Sequence, residues 1–283
     1  MNYLKQLDET SRPTRLQVPE GACDCHSHVF GDPAIYPFVA ERSYTPPPAA
    51  PAEYRRMLDT IGFTRAVIVQ PSVYGFDNRC TLDGVAEMGL DRTRAIVQIS
   101  GNESAAELKA MDERGARGIR FITVAKGGTS LDLLKSAAGA IAPLGWHVQM
   151  YLSSDLIVKM ADTILSLPVD VVIDHMGHIT TDSSAEECDA VFRLLDSGRV
   201  WMKLSSYRVS HRGAPYLDVK PIAEEYLRRA PDRCVYGSDW PHPNLTEFMP
   251  DDGPLIDLLA DWAPDEVVRR KLLVDNPARL YRF

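Results

Sequence analysis

The fold of this chain is constrained most by an alternation of short apolar segments with longer amphipathic ones, repeated eight times. The apolar segments predict strands at residues 22–30, 65–70, 93–99, 116–123, 147–152, 169–174, 200–204 and 233–237. The amphipathic segments predict helices at 52–61, 82–88, 105–114, 131–142, 155–165, 185–196, 219–229, 255–262 and 265–273. Segments such as VIVQ and DVVID are apolar almost throughout, which is typical of parallel strands covered by helices on both faces.

Regular alternation of strands and helices indicates parallel pairing through right-handed crossovers. Eight such units in 283 residues predict an α/β fold, a single (β/α)8 TIM barrel, since these barrels typically run to about 250 residues. A doubly wound open sheet is the alternative, although no G-x-G-x-x-G motif follows the first strand. We expect residues 1–18 to form an N-terminal extension and residues 19–283 to form the barrel domain. The proline-rich segment 44–51 predicts a loop over one end of the barrel.

The charge balance limits the partners that this chain can have. Lys and Arg number 31 against 39 Asp and Glu, a formal net charge of −8, so a general nucleic-acid or anionic-membrane binder is not expected. A small basic pocket is compatible with that balance. The sequence has no apolar run of the ~20 residues that a membrane span needs, no apolar signal-peptide core and no disulfide framework among its five cysteines. We therefore expect a cytoplasmic protein, with the monomer and the homo-oligomer both open.

The first predicted strand contains a histidine pair, in the segment DCHSH. Because strand side chains alternate between faces, Asp24, His26 and His28 are expected on one face, with Cys23 and Cys25 on the other. Two imidazoles at this spacing can converge on one metal ion or one oxyanion. Two histidines with separate hydrogen bonds are the alternative.

Two further polar residues end apolar strands. His175 ends the sixth strand in VVIDHMGH, and Asp239 ends the eighth in VYGSDWPHP. In a (β/α)8 enzyme the C-terminal ends of the strands carry the catalytic groups. Each residue alone could cap the following segment. Together with His26 and His28, they predict one catalytic centre at this end of the barrel.

Cationic and hydroxyl side chains cluster at the same strand ends. The candidate substrate-binding residues are Ser72, Arg120, Lys126, Tyr151 and Arg208. Because arginine binds carboxylates through two parallel hydrogen bonds, this set predicts a pocket for a small anionic substrate within an acidic protein. The alternative is pairing with surface carboxylates, which we expect for Lys203 at the end of the seventh strand.

The motifs GACDCHSHVFG, VIVQPSVYGFDN, GIRF, VIDHMGH and GSDWPHP follow one another along the chain. In that order they resemble the amidohydrolase superfamily, and within it the branch that contains the 2-pyrone-4,6-dicarboxylate lactonases. The likeness extends from about residue 19 to the C-terminus. It implies a hydrolase that acts on a carboxylic ester bond by opening the ring of a carboxylated lactone.

The resemblance also implies roles for single residues. Asp239 would be the general base that activates a water molecule. His26, His28 and His175 would polarise the lactone carbonyl, or hold a metal that does so.

For the substrate side, the resemblance implies that Arg120, Tyr151 and Ser72 contact substrate carboxylates. It also implies that Tyr44 contributes a contact from the proline-rich loop.

Two alternatives are open for the cofactor: a single bound metal ion, or none. Three histidines and one carboxylate match the ligand set of a single divalent ion, most simply Zn²⁺, held by His26, His28, His175 and Asp239. The branch also includes members that hydrolyse lactones without a required metal. No cofactor is therefore certain from the sequence.

The chain departs from the pyrone lactonases at two places. Lys126 stands where they have arginine, and the loop SSYRVSHRG around Arg208 differs in length and sequence. A lysine cannot reproduce bidentate recognition, so these departures favour a related anionic lactone, such as a muconolactone-type ring. The alternatives are a metal-dependent decarboxylase, or a sugar-acid lactonase or lactone isomerase of the same superfamily. The complete set of three histidines and Asp239 favours hydrolysis over isomerisation.

Overall fold

The protein, described here from a computed structural model at residues 4–5 and 10–283, contains one parallel sheet of eight strands. The strands are β1 (Cys23–Ser27), β2 (Arg65–Val69), β3 (Thr93–Val97), β4 (Ala116–Ile122), β5 (His147–Tyr151), β6 (Val171–Ile173), β7 (Val200–Leu204) and β8 (Cys234–Tyr236). They neighbour one another in chain order. A parallel bridge between Ser27 and Trp240 joins the last strand to the first. The predicted (β/α)8 barrel is therefore confirmed, and the open-sheet alternative is wrong.

Helices surround the sheet, as the amphipathic segments predict. They are α1 (Pro51–Ile61), α2 (Arg79–Met88), α3 (Ala105–Glu113), α4 (Leu134–Ile141), α5 (Ser154–Ser166), α6 (Ala185–Asp196), α7 (Lys220–Arg229), α8 (Asp252–Asp257), α9 (Leu259–Trp262), α10 (Glu266–Arg270) and α11 (Asn276–Tyr281). A large apolar cluster, which includes Ile68, lies between the sheet and the helices. A smaller apolar cluster, which includes Val67, lies inside the barrel. No helix within the described ranges has both the length and the apolar character needed to cross a membrane.

The first strand differs from the expected alternation of faces. Cys23 and Cys25 belong to the apolar cluster inside the barrel, whereas the carboxylate of Asp24 bonds to Tyr54 on α1. The pairing of β1 with β2 shifts register between Asp24 and Ser27. Because of this irregularity, His26 and Cys25 both contact the barrel interior. The prediction that the cysteines and the histidines lie on opposite faces of the strand is therefore wrong.

The segment before the barrel packs on its outer helices. The carboxylate of Asp257 accepts hydrogen bonds from the backbone N–H groups of Thr14, Arg15 and Leu16 at 2.8 to 2.9 Å. Residues 1–3 and 6–9 of the predicted N-terminal extension lie outside the described residues.

Candidate active site

Two of the predicted catalytic residues stand in strained turns just beyond their strands. His175 has φ 48° and Asp239 has φ 65°, left-handed values that residues other than glycine rarely adopt. Such a conformation costs of order 1–3 kcal/mol and persists only where surrounding contacts enforce it. Both side chains line one pocket at the C-terminal end of the barrel.

The turn that carries Asp239 is fixed to β1 by the carboxylate of Asp24. Asp24 accepts hydrogen bonds from the backbone N–H of Ser238 at 2.9 Å and from its hydroxyl at 2.5 Å. Tyr54 donates to the same carboxylate at 2.8 Å. The backbone N–H of Asp239 donates to the carbonyl of His26 at 2.8 Å. These bonds hold the strained residue beside the first histidine of the H-x-H pair.

The four predicted catalytic residues form one buried cluster. Oδ1 of Asp239 lies 3.4 Å from Nε2 of His28 and 3.6 Å from Nε2 of His26. The ring centroids of His26 and His175 are 4.7 Å apart. The structure thus brings together side chains from the ends of β1, β6 and β8.

The two carboxylate oxygens of Asp239 have different surroundings. Oδ2 accepts hydrogen bonds from the Tyr207 hydroxyl at 2.6 Å and from Nε of Arg208 at 2.5 Å. Oδ1 has no hydrogen-bond partner among the described residues. Burial opposes ionisation of Asp239, but the Arg208 guanidinium outweighs it and holds the pKa well below its usual range. Asp239 is therefore an ionised carboxylate whose Oδ1 faces the histidines.

The histidines of the cluster are neutral. Burial lowers the pKa of each of them, that of His175 to about 3. Nδ1 of His28 donates to the carbonyl of Val69 at 2.7 Å, which leaves the lone pair of its Nε2 facing Asp239. Nδ1 of His175 is buried and has no hydrogen-bond partner in the described part of the chain.

A second polar layer, which the sequence reasoning missed, lies beside His26. Lys203 is fully buried, and its Nζ lies 3.2 Å from Oδ1 of Asp174, 2.9 Å from Oε1 of Gln149 and 3.2 Å from Nδ1 of His26. Oδ2 of Asp174 accepts hydrogen bonds from Arg120 at 3.2 and 3.3 Å and from Gln149 at 3.1 Å. The expectation that Lys203 pairs with a surface carboxylate is wrong, because Asp174 is also fully buried.

The pocket above this cluster contains most of the predicted substrate-binding residues. It encloses about 350 Å³ between the side chains, its open mouth included. The predicted residues that line it are His28, Tyr44, Ser72, Arg120, Tyr151, His175, Arg208 and Asp239. His26 lies beneath these walls, with no exposed surface. The proline-rich loop covers the pocket, as predicted, through Tyr44.

Lys126 is the predicted substrate-binding residue that the structure places away from the pocket. Its side chain is 67% exposed, and its ammonium pairs with Glu41 at 3.3 Å. The loop after β4 reaches the pocket through the neighbouring Ala125 instead.

Within the described ranges, two groups of buried side chains bring their ligand atoms close enough for a metal ion: His26, His28 and Asp239, and His26, Asp174 and His175. A histidine that ligates a metal donates its other ring N–H to an acceptor. His28 meets this condition through the carbonyl of Val69. Nδ1 of His26 has Oδ1 of Asp174 at 3.3 Å as an acceptor, but it also lies 3.2 Å from the ammonium of Lys203, and Nε2 lies 3.4 Å from Nη2 of Arg120. A cationic donor therefore lies beside each ring nitrogen of His26 and competes with a metal ion for its lone pair. Both groups need His26, so this arrangement does not fit a metal ion, and no step below runs through one.

Comparison with known proteins gives relatives over nearly the whole length. The chain is 39% identical to a 2-pyrone-4,6-dicarboxylate hydrolase of Comamonas testosteroni, over 97% of this chain and 95% of that protein. It is 37% identical to a 4-sulfomuconolactone hydrolase of Rhizobium radiobacter, over 96% and 93%. It is 30% identical to a D-galactarolactone isomerase of Agrobacterium fabrum (strain C58), over 94% and 92%.

The solved structures agree with these relatives. An apo crystal structure from Agrobacterium tumefaciens matches with a TM-score of 0.87 and 30% identity, over 96% of this chain and 97% of that one. Residues 23–283 match the family model described as Amidohydrolase. The resemblance seen in the motifs is thereby confirmed, and the chain belongs to the amidohydrolase family.

Proposed function

We propose that this chain is a hydrolase that opens the ring of an anionic lactone. The observation that carries the proposal is the buried, ionised Asp239, whose Oδ1 faces neutral histidines in one pocket with Arg120 and Arg208. The relatives support it, because 2-pyrone-4,6-dicarboxylate and 4-sulfomuconolactone, the substrates in two of their names, are both anionic lactones.

The first step is attack by water on the lactone carbonyl carbon. Oδ1 of Asp239 accepts a proton from the water as its oxygen bonds to the carbon. The protonated carboxyl then donates to the lone pair on Nε2 of His28, 3.4 Å from that oxygen. Tyr207 and Arg208 keep Oδ2 in place, so the carboxylate does not rotate away from the water.

The carbonyl oxygen becomes negatively charged as the water attacks. We assign its stabilisation to a ring N–H of His175, a residue that lines the pocket and whose Nδ1 has no partner within the described residues. A neutral imidazole suits this role, since it donates a hydrogen bond without giving up its proton. Loss of one such donor typically costs ~10²–10³ in kcat.

Collapse of the tetrahedral intermediate breaks the bond between the carbonyl carbon and the ring oxygen. The proton held by Asp239 passes to the leaving oxygen, which restores the carboxylate for the next cycle. The products are a free hydroxyl, or its keto tautomer when the ring oxygen is enolic, and a new carboxylic acid that ionises near neutral pH.

The anionic group of the substrate binds at the cationic wall of the pocket. Arg120 and Arg208 supply the charge, and Ser72, Tyr151 and Tyr44 line the same pocket. Arginine donates to a carboxylate or sulfonate through a fixed fork of N–H groups, which favours planar anions of the correct orientation.

A direct test measures turnover of 2-pyrone-4,6-dicarboxylate, 4-sulfomuconolactone and a panel of carboxylated lactones by proton NMR. We expect ring opening with uptake of one water, and little turnover of the methyl esters. An isomeric lactone as product would identify an isomerase, and release of CO₂ would identify a decarboxylase. Either result would refute the proposal.

Removal of divalent metals is expected to leave this hydrolysis intact. The reason is that cationic donors face both ring nitrogens of His26, Lys203 at Nδ1 and Arg120 at Nε2. A histidine that ligates a metal needs a free lone pair on one nitrogen and an acceptor for the N–H of the other. The measurement is the initial rate after dialysis against EDTA, with metal content determined by mass spectrometry before and after. Loss of activity that Zn²⁺ restores stoichiometrically would contradict the expectation.

A further inference from the structure

Lys203 carries a charge beside the active site that the mechanism above does not use. It lies at the end of β7, with no exposed surface. An ammonium has three N–H donors, and three acceptors surround this one: Oδ1 of Asp174, Oε1 of Gln149 and Nδ1 of His26, at 3.2, 2.9 and 3.2 Å. Gln149 and His26 accept hydrogen bonds from Lys203, and the carboxylate of Asp174, whose Oδ1 accepts no hydrogen bond among the described residues, compensates its charge.

This arrangement decides which nitrogen of His26 carries the hydrogen. A hydrogen on Nδ1 could be accepted by Oδ1 of Asp174 at 3.3 Å, but it would lie beside the ammonium and take from Lys203 one of its two hydrogen-bond acceptors, which is costly in the barrel interior. Nη2 of Arg120 also faces Nε2 as a donor, at the longer distance of 3.4 Å, and the Nε2–H tautomer gives up this contact. The guanidinium of Arg120 already donates to Oδ2 of Asp174 at 3.2 and 3.3 Å and to the carbonyl of Gln70 at 3.1 Å.

We propose that Lys203 is a positioning residue that holds His26 as the Nε2–H tautomer. The hydrogen on Nε2 then faces Oδ1 of Asp239 at a nitrogen–oxygen distance of 3.6 Å. Catalytic hydrogen bonds of this length in a free enzyme commonly shorten when substrate binds. His26 and His28 thus present opposite groups to the same oxygen, an N–H donor and a lone pair. The expected effect of Lys203 on kcat rests on the proposed lactone hydrolysis, whereas the expected tautomer of His26 does not depend on that proposal.

The tautomer can be read directly in the free enzyme. Long-range ¹H–¹⁵N NMR spectra of the full chain, labelled at histidine nitrogens, distinguish Nδ1–H from Nε2–H in each ring. We expect Nε2–H for His26, assigned by comparison with His26→Gln. His28 is an internal control, since its bond to the Val69 carbonyl requires Nδ1–H in every variant.

Lys203→Met removes the donor and leaves an unbranched side chain that is one atom shorter. We expect His26 to change to Nδ1–H, because its remaining neighbour on that side is Oδ1 of Asp174 at 3.3 Å. With a carboxylated lactone, kcat is expected to fall at least about tenfold, because Oδ1 of the base Asp239 then loses the N–H group that faces it from His26. KM is expected to change less than about twofold, because Lys203 does not touch the substrate.

The double variant Lys203→Met with Asp174→Asn supplies a rescue. Arg120 and Gln149 donate to Oδ2, so the amide oxygen of the new asparagine takes that place and its NH₂ group faces Nδ1 of His26. An N–H donor is thereby returned to His26 without a buried charge pair. We expect Nε2–H to reappear and kcat to recover above that of the single variant.

The outcomes are distinct. Nδ1–H on His26 in the unaltered chain, or an unchanged tautomer and kcat in the folded Lys203→Met variant, would overturn the proposal. If Lys203→Met does not fold, the double variant decides the question, because an Nδ1–H tautomer of His26 in the double variant also overturns the proposal. A chain that hydrolyses no lactone but shows the expected tautomers refutes the proposed function and leaves the role of Lys203 toward His26 supported.

Discussion

Asp239→Asn is expected to lower kcat for lactone hydrolysis by about 10³-fold or more, because the neutral amide cannot accept a proton from the attacking water. The fold is expected to survive this change. The amide oxygen can still accept the hydrogen bonds of Tyr207 and Arg208, and the NH₂ group can donate to the lone pair on Nε2 of His28. The variant thus keeps the contacts of the carboxylate and loses its basicity.

The measurement combines initial rates by NMR with thermal unfolding followed by circular dichroism. Asp257→Asn is the matched control, since this buried carboxylate does not line the pocket and holds the backbone of Thr14, Arg15 and Leu16. That control is expected to lower the midpoint of unfolding with kcat unchanged. Hydrolysis by Asp239→Asn at more than about a tenth of the original kcat would remove Asp239 from the role of base.

Much of this site could be predicted because the fold is topologically simple. In a parallel barrel every strand ends at the same rim, so a polar residue at the end of an apolar strand has a predictable location. This reasoning placed His28, His175, Asp239 and Arg120 together without knowledge of any contact. It needs only the direction of each strand, which the alternation of strands and helices supplies.

The polar layer beside His26 could not be predicted in the same way. Asp174 and Lys203 also end apolar strands, and the burial of a charge in VWMKL is a signal that could have found it. The pairing of Asp174 with Lys203 depends on how far each side chain reaches across the barrel, and the sequence does not specify that distance. The sequence alone therefore favours surface pairing of Lys203, and the structure contradicts it.

Local irregularity accounts for the other differences. Strict alternation along β1 predicts Cys25 and His26 on opposite faces of the strand. The register shift after Asp24 lets both side chains contact the barrel interior. Lys126 lies in a loop, where side-chain direction follows local turns that no periodic pattern determines, and its ammonium meets Glu41 instead of the pocket.

Arg208→Met is expected to reduce kcat/KM for a carboxylated lactone by about a hundredfold, the scale of losing one partner of a largely buried charge pair. Arg208 uses Nε for Asp239 and Nη2 for the carbonyl of Pro243, and its side chain is 14% exposed at the pocket. An edge of the guanidinium is thus presented to the substrate. Arg208→Lys is expected to give an intermediate value, because lysine keeps the charge and loses the fork.

The methyl ester of the same lactone separates two ways in which Arg208 could matter. If Arg208 binds the substrate anion, Arg208→Met lowers kcat/KM for the acid far more than for the ester, and the selectivity between them falls about tenfold or more. If Arg208 serves only to orient Asp239, both substrates lose the same factor, since both need the same base. An equal loss for acid and ester would therefore contradict anion recognition by Arg208 while leaving Asp239 as the base, and an unchanged kcat/KM for the acid would remove Arg208 from both roles.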